Sequence, residues 1–355
     1  MAVLVRLEGD PVYAVAKAYA LRSLLMPYAV LEELADSRSL TDLVERLRTS
    51  PYGPFLAQLQ KPFTALEVEK SLWRHLVHVH YGFIQTAPKP FLLKQYFMRY
   101  VYFNLKSILK GKAMNKPVDE VLKSVDLYPE TLLAIRDRAL RAASAKDMAE
   151  AVKELVKTEL SSLVSSAVAV WESKRDFSAI DAVVDKMYVE GLLMAFKKTP
   201  RSARKYLRPF VSMDVDTYAL TTALRSRGWR LTLPQAKEFL PSQTINVKMS
   251  DVENLLTAED VKAVFQQIQL MDYMRKVSVE DELYKTALSI EESARNAKIR
   301  YSAESFYKTP YQQSVLAAFL VLKEVEVRNL STIAKNIEEG VVDPAAIARL
   351  LVKSV

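Results

Sequence analysis

The feature that most constrains the fold of this 355-residue chain is an internal repeat. Three segments align, and in each a Leu follows Asn or Ala, a Ser or Thr comes two residues later, and a base comes five residues later. They are Tyr100–Gly111, Val215–Gly228 and Val325–Gly340. The residues before the Leu are Asn104, Ala219 and Asn329, which lie 115 and 110 residues apart. A Gly closes each segment, and a Pro then opens a short amphipathic stretch.

A second, weaker block of sequence has the same period. It ends at Thr49, Thr158 and Gln267, with 109 residues between successive copies. Amphipathic helices resemble one another, but two blocks with one order and one period favour three copies of a larger element. We predict three similar domains, residues 1–112, 113–229 and 230–355. Because solenoid repeats are usually about 20–50 residues long, we expect these larger copies to close around a pseudo-threefold axis.

The local sequence pattern indicates an all-α fold. Leu330, Ile333, Ala334 and Ile337 have the spacing of one helix face. Helix starts are predicted where Ser or Thr precedes an acid by three residues, at Thr64/Glu67, Ser144/Asp147, Ser178/Asp181, Thr257/Asp260 and Ser278/Asp281. Prolines suited to first turns are Pro11, Pro117, Pro129, Pro234 and Pro344. The segments 61–64 and 241–249 are expected to be extended or irregular.

Glycine and cysteine usage exclude several classes of protein. The chain has 7 Gly, and none of them form GxG or GxxxxGK, so nucleotide binding through a glycine-rich loop is not expected. With no Cys, the chain has no disulfides, no Cys-based zinc site and no Cys nucleophile. We therefore predict no cofactor.

No segment has the length and apolarity of a membrane span. The longest uncharged runs are 14 residues, His75–Pro88 and Thr309–Leu322, whereas a spanning helix needs about 20 apolar residues. The first eleven residues lack a basic start followed by a long apolar stretch, so a signal peptide is not expected.

Two clusters of titratable residues are candidates for chemical sites. On a helix, His75 and His78 share a face, but His80 lies about 140° from His75. A packed or surface cluster is therefore favoured over a metal site. The acid pairs Asp214/Asp216 and Glu324/Glu326 are spaced by two and point apart on a helix, which favours charges near a helix start over a catalytic dyad. We predict no catalytic and no metal-binding residue.

A strongly basic run stands out within a net charge of +8. Residues 197–208, KKTPRSARKYLR, carry six bases and no acid. Three interpretations remain open: a solvated face, a contact with an acidic protein or with lipid headgroups, and binding of nucleic acid phosphates. No RNP, KH or zinc-finger pattern supports nucleic acid binding.

The repeated segments resemble the C subunit of archaeal and vacuolar-type rotary ATPases, which is called the d subunit in the vacuolar enzyme. The third copy, EVEVRNLSTIAK at 324–335, carries the resemblance most fully. The first keeps NLKSILK at 104–110 but has Arg99 and Val101 in place of the acids, and the second keeps Asp214 and Asp216 but has Ala219 in place of Asn. Segments 16–25 and 49–52 also fit, so the resemblance covers essentially the whole chain.

The resemblance implies a funnel of three helical domains with no active site of its own. Such a protein is peripheral to the membrane, at its cytoplasmic face, where it joins the coiled-coil central shaft and the shaft's small companion to the proteolipid rotor ring. It transmits torque for ATP synthesis or ion transport, and it takes no nucleic acid and no small-molecule substrate. The alternative is a helical scaffold that binds nucleic acid through its basic run. The predicted axis-facing, partner-binding residues are Asn104, Lys106, Lys110, Asp216, Arg225, Glu326, Asn329 and Lys335.

Overall fold

The computed structural model describes residues 9–268, 273–341 and 343–353. Its regular elements within these ranges are all helices, as the sequence predicts. None of the described helices combines the length and the apolar character that crossing a bilayer requires. The N-terminal segment considered as a signal peptide falls largely on residues 1–8, outside the described residues.

The helices follow one another along the chain with short connections. The first nine are α1 (Pro11–Arg22), α2 (Tyr28–Ala35), α3 (Leu40–Leu47), α4 (Gly53–Leu56), α5 (Ala65–Thr86), α6 (Phe91–Ala113), α7 (Val118–Ser124), α8 (Tyr128–Leu132) and α9 (Arg136–Ser144). The remaining described helices are α10 (Met148–Leu155), α11 (Ser161–Lys174), α12 (Phe177–Lys198), α13 (Arg201–Gly228), α14 (Leu233–Lys237), α15 (Met249–Thr257), α16 (Val261–Ile268), α17 (Leu283–Lys308), α18 (Ser314–Glu338) and α19 (Pro344–Arg349).

The same series of helices recurs three times, at the period predicted from the sequence. A helix of eight residues (α3, α10 and α16) precedes a long helix (α5, α12 and α17), with α4 and α11 between them in the first two cases, and a second long helix (α6, α13 and α18) follows. A short helix of five to seven residues (α7, α14 and α19) then follows. The three aligned sequence segments all fall in the second long helix. We therefore call residues up to 112 copy 1, residues 113–229 copy 2 and residues from 230 copy 3.

The chain packs as two compact units. Unit 1 holds the described residues up to Leu93 and from Ile299 onward, and unit 2 is Lys94–Lys298. The boundaries between the units fall inside α6 and α17. The predicted domain boundaries, by contrast, lie within about one residue of the ends of α6 and α13. The division into three domains stays a prediction.

Most of the predicted helix starts are wrong in detail. Thr64 and Glu67 do form a capping box at the start of α5, because each side chain bonds the other's backbone N–H. Aspartates cap the helices that begin near three of the other predicted starts: Asp147 caps α10, Asp176 caps α12, and the Asp260 carboxylate accepts from two N–H groups at the start of α16. Ser144 and Thr257 instead end α9 and α15, and α17 begins only at Leu283, after Ser278 and Asp281.

The proline and irregular-segment predictions fit better. Four prolines occupy first turns as predicted, namely Pro11, Pro129, Pro234 and Pro344, while Pro117 is the residue that precedes α7. The segment 61–64 and residues 241–248 are outside helices, and only Met249 of the predicted irregular stretch belongs to one.

Helix α18 forms the centre of unit 1. It packs along α5 and also contacts α1, α2 and α3. Seventeen of its 25 residues are buried, so this helix is enclosed around most of its circumference. Phe319 meets Phe83 of α5 edge to face with 5.6 Å between ring centroids.

Helix α13 has the same central position in unit 2. It contacts α12, α14 and α15. The apolar face of its C-terminal half joins a core cluster that extends over α15, α16 and the start of α17. Leu220, Leu224 and Phe265 are fully buried there. The repeated segment is thus core-forming in copies 2 and 3.

Truncating Phe319 should be far more damaging than truncating an exposed phenylalanine. Phe319→Ala removes a side chain that is 1% exposed, and a cavity of this kind costs about 3–5 kcal/mol. Phe103→Ala is the matched control, because Phe103 is 65% exposed. Chemical denaturation followed by circular dichroism should place the midpoint of the Phe319 variant well below that of the control. Equal midpoints would contradict the placement of the unit 1 core.

Candidate functional site

All eight predicted partner-binding residues lie on α6, α13 or α18, the three second long helices. They separate into two groups by exposure. Asn104, Asp216, Glu326 and Asn329 are each at most 3% exposed. Lys106, Lys110, Arg225 and Lys335 are partly exposed bases in ion pairs. Contact of these residues with another protein stays a prediction, but the structure gives every one of them a partner inside the chain.

The repeated asparagine holds the backbone that follows the next short helix along the chain. Asn104 Nδ2 donates to the Asp126 carbonyl at 2.7 Å, and the Asp126 N–H donates back to Asn104 Oδ1 at 3.2 Å. Asn329 does the same with Val352, at 2.8 and 2.9 Å. An amide that pairs with both polar groups of one peptide position satisfies all of them inside the protein, which is the requirement for burying them. We call this arrangement the asparagine clamp.

Copy 2 replaces the clamp, because Ala219 has no polar atom to offer. The neighbouring Tyr218 hydroxyl instead donates to the Phe239 carbonyl at 2.8 Å, just after the short helix α14. Ala219 therefore changes the group that makes the contact, but the segment after the short helix is still hydrogen-bonded to the long helix.

The buried acids reach from one copy into the next. Asp216 in copy 2 accepts from the N–H groups of Ile245 and Asn246, at 2.7 and 2.9 Å, in the segment before α15. Glu326 has the same position in copy 3 and accepts from the N–H of Met26, in the segment before α2 of copy 1. Helices α2 and α15 each precede the eight-residue helix of their copy, so the two contacts are equivalent. Val101 replaces the acid in copy 1.

Glu326 is also the centre of a buried polar cluster. Its carboxylate accepts from the Tyr52 hydroxyl at 2.7 Å and from Lys323 Nζ at 2.6 Å. The Lys323 and Glu326 side chains are each 3% exposed, and Lys323 Nζ lies 4.0 Å from the centroid of the Tyr52 ring. Removing one member alone would leave the other charge buried without its partner, which is strongly destabilising.

Burial controls titration around that cluster. Loss of solvation lowers the pKa of Lys323, against the attraction of Glu326, and raises the pKa of Tyr52 well above its usual value. It also lowers the pKa of His75 to about 3, with a further contribution from the Lys323 charge. His75 is therefore neutral at physiological pH, packed against the Tyr52 ring at 4.7 Å between centroids.

The base at the end of each repeated segment pairs with an acid on the first long helix of another copy. Lys110 of α6 reaches Asp181 of α12 at 2.6 Å, and Arg225 of α13 reaches Glu291 of α17 at 2.6 Å. Lys335 of α18 reaches Glu69 of α5 at 2.8 Å. Lys106 adds a second bond from α6 to α12, at 2.6 Å to Asp185.

These ion pairs follow one cyclic order. Copy 1 pairs with copy 2, copy 2 with copy 3, and copy 3 with copy 1. The three bases have the same position in the repeat, six residues after Asn104, Ala219 and Asn329. We call these three pairs the ion-pair series, which consists of Lys110–Asp181, Arg225–Glu291 and Lys335–Glu69.

The other titratable residues singled out from the sequence belong to ordinary packing contacts. His80 Nε2 lies 2.9 Å from the Leu93 carbonyl. Asp214 accepts from Lys298 and from Tyr96, at 2.7 and 2.8 Å, and Glu324 accepts from Arg328 at 2.9 Å. Across the described ranges, no three His, Asp or Glu side chains come together in a group that could hold a metal ion.

Lys323 and Glu130 are among the buried charged residues that the sequence analysis does not identify. Lys323 follows the apolar stretch 315–322 and stands three residues before Glu326, and this i, i+3 pair is a signal that the sequence does contain. Glu130 has no such signal. Its carboxylate oxygens accept from Asn104 Nδ2 at 3.0 Å, so it completes the clamp that Asn104 forms.

Comparison with known proteins identifies one family. The family model described as ATP synthase (C/AC39) subunit matches residues 14–346. The A-type ATP synthase C subunit from Thermococcus onnurineus is 25% identical over 96% of this chain and 89% of that protein. The proteins of the same name from Desulfurococcus sp. and Methanothermobacter thermautotrophicus are 26% and 24% identical, over 95% and 90% of this chain and 89% and 82% of their own lengths.

Glu130 should make the protein more stable in mild acid than in mild base. Burial raises the pKa of its carboxyl to about 7, against the hydrogen bond from Asn104. Since this pKa is higher folded than unfolded, the folded state binds more protons between about pH 4.5 and 7, and stability falls as pH rises through that window. A shift of this size corresponds to a loss on the order of 3 kcal/mol.

Glu130→Gln should remove that part of the pH dependence and stabilise the protein at pH 8. Glu172→Gln is the control, because Glu172 is an exposed residue in the same unit. Thermal melts of both variants across the window provide the measurement. Parallel pH profiles for the Glu130 and Glu172 variants would show that Glu130 is not responsible.

Proposed function

Because the chain belongs to the ATP synthase (C/AC39) subunit family, we propose that it is the component that couples shaft and rotor ring in an A-type or V-type rotary ATP synthase. Family membership makes it an ATP synthase subunit. The finer role is a non-catalytic socket, which accepts the foot of the central shaft and rests on the membrane proteolipid ring. In that position it transmits torque during ATP synthesis or ion transport, from the cytoplasmic face of the membrane.

The cyclic order of the ion-pair series is the observation that carries this proposal. A head-to-tail contact that repeats between like copies generates a closed ring when its rotation closes. Here the series runs from copy 1 to 2, from 2 to 3 and from 3 back to 1, within one chain. Three copies closing in this way around a pseudo-threefold axis fit a part that must surround a shaft.

The buried acids support the same order of closure. Asp216 links copy 2 to copy 3, and Glu326 links copy 3 to copy 1, each by accepting from backbone N–H groups. The two acids are buried, so salt screens their contacts much less than it screens the exposed pairs. A coupling that carries a tangential load needs junctions that resist sliding, and paired buried and exposed contacts at each junction suit this role.

Co-purification tests the proposal directly. The tagged full-length chain is expressed in its source organism and extracted in mild detergent. A coiled-coil shaft protein and a proteolipid ring should co-purify with it. A nuclease-treated sample should behave identically. Recovery of nucleic acid without either ATP synthase partner would support the alternative, a helical scaffold that binds nucleic acid through residues 197–208, and would overturn the proposal.

Charge reversal within the ion-pair series tests the closure of the three copies. Lys335→Glu places a second acid opposite Glu69 and should destabilise the junction between copies 3 and 1. An exposed pair is worth about 0.2–1 kcal/mol, so we expect the midpoint of thermal unfolding to fall by about 1 °C. The yield of the shaft protein in the pull-down should fall with it.

The reciprocal exchange is the control. Glu69→Lys alone should have a similar effect, whereas the double variant Lys335→Glu/Glu69→Lys restores opposite charges and conserves net charge. Recovery of both the melting midpoint and the shaft yield is expected in the double variant. Additive losses from the two substitutions would show that the pair does not join the copies.

A further inference from the structure

The run 197–208 forms a basic turn between two long helices of unit 2. Lys197 and Lys198 end α12, Thr199 and Pro200 make the connection, and the remaining residues form the first turns of α13. We call residues 197–208 the basic turn. The function proposed above leaves its charges unused.

Two of its arginines brace the turn itself. The Arg204 guanidinium donates to the carbonyls of Lys197 and Thr199, at 2.6 and 3.0 Å, and so caps the end of α12. Arg208 donates to the Ile245 carbonyl at 2.8 Å and to the Asn246 side chain. These contacts fix the turn and leave its four other bases to solvent.

The four other bases are Lys197, Lys198, Arg201 and Lys205, and all are exposed. Arg201 and Lys205 are four residues apart and so share a face of α13. In the described part of the chain none of the four forms an ion pair, although Lys205 Nζ lies 4.5 Å from the centroid of the Tyr206 ring. The turn is therefore a concentrated positive charge.

Nearby acids do not neutralise this charge. The first turn of α13 has no acidic residue. The acids that flank the turn along the two helices are engaged elsewhere, since Glu190 accepts from Ser242 and Asp214 accepts from Lys298. The N-terminal end of α13 adds the partial positive charge of its own backbone N–H groups.

We propose that the basic turn binds the anionic phospholipid headgroups of a membrane surface. Flexible lysines that present point charges suit headgroups, which need no fixed geometry, and each Lys or Arg near an anionic leaflet favours binding by about fivefold. Met194, one turn before Lys198 on α12, is 59% exposed and supplies an apolar side chain at the edge of the patch. The proposal rests on the proposed function, which brings this chain to a membrane.

Two features favour lipid over the other anionic partners. Binding of single-stranded nucleic acid uses exposed aromatic side chains on which bases stack, whereas Phe196 is buried and Tyr206 is only half-buried. Acidic protein surfaces are recognised best through bidentate arginine forks, and two of the turn's three arginines, Arg204 and Arg208, already use their guanidinium groups inside the chain, which leaves only Arg201 for such a contact.

The test is sedimentation of the purified full-length chain with vesicles. Vesicles of phosphatidylcholine and phosphatidylglycerol are compared with vesicles of phosphatidylcholine alone, at low and at raised salt. We expect binding only to the anionic vesicles, with a loss on raising salt. The fourfold variant Lys197→Gln/Lys198→Gln/Arg201→Gln/Lys205→Gln should bind at least about tenfold more weakly.

A charge-matched control separates a local patch from net charge. The variant Lys146→Gln/Lys153→Gln/Lys276→Gln/Arg295→Gln also removes three lysines and one arginine, but at scattered positions of unit 2. It should keep most of the vesicle binding. Equal loss in the two variants, or equal binding of the wild type to neutral vesicles, would overturn the proposal.

Two further measurements, oligonucleotide binding and co-purification, identify the partner if it is not lipid. Tighter binding of the wild type to a random oligonucleotide than to anionic vesicles would overturn the proposal in favour of nucleic acid. Co-purification of shaft and ring is then compared between the two fourfold variants. If only the basic-turn variant loses them and the wild type does not bind vesicles, the turn docks on an acidic protein, so the lipid proposal fails while the coupling function stands.

Discussion

The fold depends on side chains that hold backbone from within the core of each copy. Where a short helix ends, its last carbonyl groups and the N–H groups of the segment that follows have no intrahelical hydrogen-bond partner. Asn104 and Asn329 meet this need with one amide each, and Tyr218 does so where Ala219 cannot. Because these residues lie on the second long helix, that helix determines where the next segment of the chain begins.

The sequence predicted the helical class, the period and the position of the repeated segment, because apolar spacing and repetition are properties of sequence alone. It did not predict how the polar residues of that segment are used. Asn329 and Glu326 have polar side chains typical of a protein surface. Both are nevertheless buried, because the rest of unit 1 packs around most of α18. Helix starts at Asp147 and Asp176 were missed because an aspartate caps by itself, without a Ser or Thr.

The two kinds of contact between copies differ in what they can contribute. Exposed ion pairs such as Arg225–Glu291 add little stability, so their value is in orientation, since opposite charges at one junction disfavour any other register. The buried carboxylates of Asp216 and Glu326 cost solvation and recover it only when their N–H partners are in place. The exposed pairs thus favour the correct adjoining copy, and the buried acids stabilise the junction with it.

The Lys323–Glu326 pair has a consequence for how this sequence can change over generations. Replacing either residue alone leaves the charge of the other buried without a partner. Single substitutions at these two positions should therefore be selected against. Replacement of both together by apolar residues of similar volume avoids that penalty. We therefore expect substitutions at these two positions to be coupled in evolution, so that related sequences keep both charged residues or replace both.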